Sequence, residues 1–131
     1  MSEANKEAVR RYLSAMASGD SSLSDLLSDD VSWWVPPSSP LGGLKEGKAR
    51  VLELMASGVG LYDMSVPFEI EVEAVVAEGD WVAVQMVMNA RTAKGQPYHN
   101  HYHFAFRLRD GKICAVKEYV DTLYAQRMLF E

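Results

Sequence analysis

Near residue 65 the spacing of apolar residues changes from helical to alternating, and that change constrains the fold more than any other feature. Val66, Phe68, Ile70, Val72, Ala74 and Val76 alternate with Ser65, Pro67, Glu69, Glu71 and Glu73, the pattern of a strand with one wet face. Beyond it the chain is cut by turn signals at Glu78-Gly79-Asp80, Lys94-Gly95-Gln96-Pro97 and Asp110-Gly111. These predict strands from Trp81 to about Arg91, Tyr98 to Arg109 and Lys112 to Val120, then a last helix from about Asp121. Upstream the period is helical. Residues 3–18 place Val9, Tyr12, Leu13 and Met16 on one side and stop at Gly19. A short second helix starts at Ser22, a strand runs from Val31 to Val35, and the proline-rich stretch to Gly43 is loop. Residues 45–57 read as a third helix. Three helices followed by a four-strand meander predict an α+β fold, with the helices capping one face of a curved antiparallel sheet.

The length, 131 residues, fits one domain over 1–131, and folding should bury roughly two-thirds of the unfolded chain's surface. A net charge of −5 argues against nucleic-acid and anionic-membrane partners, which call for a basic face. The single cysteine, Cys114, excludes an internal disulfide and a multi-cysteine metal site. No stretch approaches the ~18 apolar residues of a membrane span, and the N-terminus lacks an apolar signal core, so a cytoplasmic location is expected. Glu46-Gly47-Lys48-Ala49 lacks the upstream glycine and the Ser/Thr of a phosphate-binding loop.

Four segments carry a resemblance over nearly the whole chain. They are Tyr12-Leu13-Ser14-Ala15-Met16 with Gly19-Asp20, Ser28-Asp29-Asp30-Val31, Asp110-Gly111-Lys112-Ile113, and Glu118-Tyr119-Val120-Asp121. With the element order, they resemble the cone-shaped fold of nuclear transport factor 2, ketosteroid isomerase and the SnoaL-type polyketide cyclases. The last stretch is most similar to the limonene-epoxide hydrolases, which overlay from Gly79 to Asp121 without a gap.

What the resemblance implies depends on the residue at each position. Tyr12 matches the tyrosine of the ketosteroid isomerases, which use a tyrosine and a protonated aspartic acid beside an aspartate base. Their base falls here on Val35 and their second acid on about Phe104, so both carboxylates are missing. Of the epoxide-hydrolase set, Glu118 occupies one acid position. The arginine position carries Gln85, the other aspartate Val87, the tyrosine Trp33 and the asparagine Val35. Neither known mechanism is supported intact.

The same overlay implies a concave wall of Trp81, Ala83, Gln85, Val87 and Asn89, then Asn100, Tyr102, Phe104 and Phe106, then Cys114, Val116, Glu118 and Val120. Tyr12, Met16, Trp33 and Val35 would close it. These residues would either line a pocket or fill their own centre. Apolar period taken alone favours the opposite parity on the second strand of the meander, with Val82, Val84, Met86 and Met88 inward. On the overlay those four face outward as an apolar patch, whose burial against a second copy predicts a homodimer. His99, His101 and His103 share the outer face, so no metal site is expected. Glu118 against apolar neighbours should have a pKa above the usual ~4.3, the range of a general acid or base near neutrality.

Two functions follow from this. One is a cofactor-independent isomerase, cyclase or hydrolase acting on a compact apolar, oxygen-bearing molecule, with Glu118 as acid/base and Tyr12 as polariser. The other is a non-catalytic small-molecule-binding or accessory module. In either, Met16, Trp33, Val35, Gln85, Val87, Asn89, Asn100, Tyr102, Phe104 and Val120 are the expected ligand contacts.

Overall fold

The computed structural model describes residues 2–131. The chain begins with α1 (Ser2–Ser18), which buries Ala8, Val9, Tyr12 and Leu13 on one stripe. Gly19, at φ 72°, ends it in the left-handed conformation that glycine adopts without a Cβ penalty. Asp20 then accepts a hydrogen bond from the Ser22 amide and starts a 3-10 turn over Ser21–Leu26, where the sequence predicted a short α-helix. Three serines in six residues explain the difference, because their hydroxyls compete for backbone partners.

Strand β1 (Leu27–Val35) starts four residues earlier than its apolar pattern suggested. Residues 36–42 turn the chain into β2 (Gly43–Glu46), a short edge strand where a helix start was expected. The helix α2 (Lys48–Val59) follows only after Gly47, whose φ of 92° blocks a continuous helix. Strands β3 (Glu69–Glu78), β4 (Trp81–Arg91), β5 (Pro97–Arg109) and β6 (Lys112–Val120) form the meander, and α3 (Thr122–Leu129) closes the chain. Asp121 caps α3 by accepting from the Tyr124 amide at 3.1 Å.

The six strands lie in the order β2-β1-β6-β5-β4-β3. All neighbours are antiparallel except β1 and β6, which run parallel. The ladder slips between Val72 and Ala74 and between Arg107 and Leu108, and such bulges bend a sheet. At the second slip Ile113 pairs with Leu108 and is buried, which displaces Cys114 from the inner wall where the overlay had put it.

The parity of β4 is the main correction. Met88 pairs with Asn100, Met86 with Tyr102, Val84 with Phe104 and Val82 with Phe106. Antiparallel partners share a face, so inward Tyr102 and Phe104 force Met86 and Val84 inward with them. Val82, Val84, Met86 and Met88 are accordingly buried in the core. Gln85, Val87 and Asn89 point to the other face: Gln85 is exposed beside His103, Val87 lies between Glu71 and His101, and the Asn89 side chain meets His99 Nδ1 at 2.6 Å. The gap-free overlay therefore fails by an odd number of residues on β4, while the apolar period reads that strand correctly. The apolar patch invoked for a homodimer is core, so that argument lapses.

His99, His101 and His103 lie on the outer face of β5 with exposed side chains. Among the described residues no cluster of His, Cys, Asp and Glu is arranged to hold a metal ion. No described helix is long and apolar enough to cross a membrane.

Candidate functional site

The sheet and the helices enclose a cavity of about 400 Å³. That is the range in which small-molecule sites occur. Its lining is overwhelmingly apolar, and Asp20 and Glu118 are the charged residues among it. Asp20 sits at the rim, where its carboxylate caps the 3-10 turn. Glu118 is the acid inside.

Of the residues expected at the site, the structure brings together Tyr12, Met16, Trp33, Val35, Tyr102, Phe104, Glu118 and Val120 around the cavity. Asn100 is buried just behind the wall, where its Nδ2 donates to the Tyr98 hydroxyl at 2.8 Å and to the Asp121 carbonyl at 3.2 Å. Gln85, Val87 and Asn89 are not at the cavity, because of the β4 register. Met86 and Met88 occupy the inward positions instead, so this strand gives the site no polar group.

Glu118 is positioned by two neighbouring strands. It pairs with Phe104 on β5, and on the other side Trp33 reaches over from β1 to donate its indole Nε1–H to Oε1 at 3.0 Å. The residue keeps some accessible surface because the cavity is roomy, but protein surrounds its carboxyl closely. Desolvation pushes its pKa up to about 7, with the Trp33 bond pulling weakly the other way. Among the described residues, no lysine or arginine lines the cavity to offset that burial. Near neutral pH the group is therefore shared between acid and carboxylate. It can deliver a proton to a bound oxygen or remove one from carbon.

Tyr12 is held between Trp33 and Phe106, with ring centroids at 6.3 and 5.8 Å. Burial first, and then the Glu118 charge, raise its pKa far above the ordinary tyrosine value, so it stays a hydrogen-bond donor. Trp33, not Tyr12, supplies the side-chain hydrogen bond to Glu118, which leaves the Tyr12 hydroxyl uncommitted to the acid.

Sequence reasoning missed Tyr62, Tyr98, Met86 and Met88, all of which line the cavity. Tyr98 shares the parity of Tyr102 and could have been read from it. The apolar period of β4 marked the two methionines. Tyr62 follows α2 in an irregular stretch, and nothing local marked it.

Residues 9–116 match the SnoaL-like domain family, and the chain belongs to that family. Its fold recurs in solved structures over almost the full length. An NTF2-like protein from Burkholderia xenovorans LB400 is 25% identical, with 98% of each chain covered and a TM-score of 0.77. TerC, co-crystallised with polyporic acid, is 21% identical over 98% of this chain and 99% of its own, at 0.83. A protein from Jannaschia sp. CCS1 assigned as a SnoaL-like polyketide cyclase is 18% identical over 98% and 92%, at 0.82. No curated protein matches the sequence.

Proposed function

We propose that the protein binds a compact, apolar, oxygen-bearing molecule in this cavity and moves a proton on it, with Glu118 as acid/base and Tyr12 as the donor that polarises a carbonyl. The observation that carries the reading is a single carboxyl, poised near neutrality, inside an otherwise apolar cavity with an uncommitted tyrosine hydroxyl in the same wall. As carboxylate, Glu118 takes a proton from carbon next to a carbonyl. As acid, it returns one to carbon or oxygen. Such steps are common to isomerisation and to cyclisation through an enol, and need no cofactor. TerC's co-crystallised polyporic acid and the cyclase assignment of the Jannaschia protein support a small organic ligand.

The test is hydrogen–deuterium exchange at the activated methylene of 2-tetralone in deuterated buffer, followed by proton NMR. The expected result is exchange faster than in buffer, with a rate that rises through pH about 7 as the carboxylate forms. Glu118→Gln should abolish the excess while the ketone still binds. The second reading, a binding module without chemistry, is favoured by the lack of a second acid inside the cavity. Binding with no excess exchange in the native protein would decide for it.

For assembly we propose a two-fold dimer through the outer sheet face, now on the odd positions of β4 and β5. Val76 and Trp81 are exposed there at 63% and 37%, and the Tyr119 ring packs at a tilt against Trp34, centroids 5.0 Å apart. In a facing pair, the acidic side chains Glu69 and Glu71 meet the partner's Arg107 and the partner's Lys117. Ala105→Arg, at the middle of that face, should convert a dimer to monomer in sedimentation velocity. A monomeric native protein, or a dimer unmoved by the substitution, would remove the proposal.

A further inference from the structure

At the Tyr98 end of the cavity, the hydroxyl groups of Tyr98 and Tyr102 lie 2.8 Å apart, and both side chains line the cavity. The Asn100 amide Nδ2 is 2.8 Å from the Tyr98 oxygen and can only donate, so that oxygen is the acceptor. Proton counting then limits what the pair can do. Two hydroxyls carry two protons, and the bond between them uses one. If Tyr98 donates to Tyr102, the proton of Tyr102 is left over; if Tyr102 donates, the proton of Tyr98 is left over. Tyr62, whose ring meets that of Tyr98 edge-on at 5.6 Å, joins the same group. A ligand oxygen takes that proton in place of Tyr62, because three hydroxyls closed into a ring would use all three protons.

Asn100 fixes the pair in place. Its second amide hydrogen goes to the Asp121 carbonyl, and its Oδ1 accepts from the His101 amide at 2.8 Å. Both tyrosines are buried and have raised pKa values, chiefly through desolvation, so they remain neutral donors. The pair is also displaced from the acid along the strand. Glu118 is level with Phe104, whereas Tyr102 is two residues on, about 7 Å at the strand rise.

We infer that the Tyr98–Tyr102 pair, held by Asn100, is a second polar subsite that takes a carbonyl or enol oxygen of the ligand at a distance from Glu118. The inference rests on the cavity reading above and narrows its substrate class. The ligand carries two oxygen functions on an apolar frame, one met by Glu118 and Tyr12 and one by the tyrosine pair. The absence of a lysine or arginine lining the cavity fits a neutral oxygen rather than a carboxylate or phosphate.

The experiment compares 9-fluorenone with fluorene, which has the same rings without the carbonyl. Binding is read by quenching of tryptophan fluorescence, and the carbonyl stretch of bound fluorenone by infrared difference spectra. The native protein should prefer fluorenone by roughly five- to tenfold, the weight of one hydrogen bond, with the stretch moved to lower wavenumber. Tyr98→Phe/Tyr102→Phe should lose both the preference and the band shift while still binding fluorene. Glu118→Gln should keep both. A shift that survives the double substitution, or that disappears in Glu118→Gln instead, overturns the subsite and leaves the cavity reading standing. Failure of the native protein to bind fluorene removes the cavity reading, and the subsite with it. If the double variant does not fold, the single variants decide. Tyr102→Phe preserves the bond from Asn100 to Tyr98 and must alter the band, and an identical band in both single variants overturns the inference.

Discussion

Val84→Glu is expected to yield unfolded or insoluble protein, whereas Gln85→Glu, one position along, should fold and melt within a few degrees of the native chain. Val84 is fully buried and pairs with Phe104, while Gln85 is exposed between Ala74 and His103. A carboxyl forced into the Val84 site has no cation to meet. Whether it ionises or pays to be protonated, it costs several kcal/mol, a large part of the roughly 5–15 kcal/mol that holds a domain of this kind together. At Gln85 the added carboxylate lies on the outer face of the sheet, outside the core. Circular dichroism melts of the two variants, with sedimentation to detect aggregates, are sufficient. A well-folded Val84→Glu beside a collapsed Gln85→Glu would restore the opposite parity for β4 and take Met86 and Met88 out of the cavity wall.

Glu118→Gln should stabilise the protein, and by an amount that depends on pH. The folded pKa of about 7 lies above the ordinary value of 4.5, so the native state holds its proton more tightly than the unfolded chain does. Stability contributed by that proton is fully present below the unfolded value and is lost as pH rises towards 7. The loss is complete above it. The difference amounts to about 3 kcal/mol at pH 8. Glutamine has no proton to lose and still offers a carbonyl oxygen to Trp33 Nε1. The two proteins should therefore melt together near pH 4 and diverge through pH 5–7. By pH 8 the variant should lie roughly 10 °C higher. A variant that is less stable at pH 8 would mean that Glu118 is ionised and paired in the fold, and would leave the proton-transfer reading without its acid. The gain is also informative about function, since a residue that destabilises its own fold at working pH is retained for some other reason.

The helix-to-strand order, the four-strand meander and the inward face of β5 and of β6 beyond Cys114 were legible because the strands there are long and β5 keeps an unbroken period. From Tyr98 to Phe106 every second side chain is aromatic or amide, and all of them are buried. Elsewhere the local signal was short or conflicting. β2 is four residues long, which is too few for a period of two to separate from the start of a helix. β4 carries apolar side chains on both parities, since Val87 is also buried, so a family alignment could outvote its pattern and did so wrongly. Cys114 was misplaced because a bulge changes parity without leaving a mark in composition. Within the site, Glu118 and Tyr12 could be singled out beforehand through the family resemblance, which put Glu118 on an acid position of the inner wall and Tyr12 on the isomerases' tyrosine. The Trp33 hydrogen bond and the Tyr98–Tyr102–Asn100 group could not. They depend on distances between strands, and a sequence does not encode such distances locally.

The parallel seam between β1 and β6 also governs when the cavity can come into being. Trp33 and Glu118, the pair at its centre, are separated by 85 positions, and β2, β3, β4 and β5 all lie in the chain between β1 and its parallel neighbour β6. During synthesis the helices and the β3–β4–β5 ribbon can assemble from local contacts, but β1 has only its short partner β2 until the last strand emerges. Closing so long a loop is entropically expensive and slow. The half-formed sheet meanwhile shows two unsatisfied edges, one on β1 and one on β5. Refolding should therefore pass through a species with most of its far-ultraviolet signal but no indole bond to Glu118. In that species the acid titrates as an ordinary solvated glutamate, and its raised pKa is acquired only as the final strand docks.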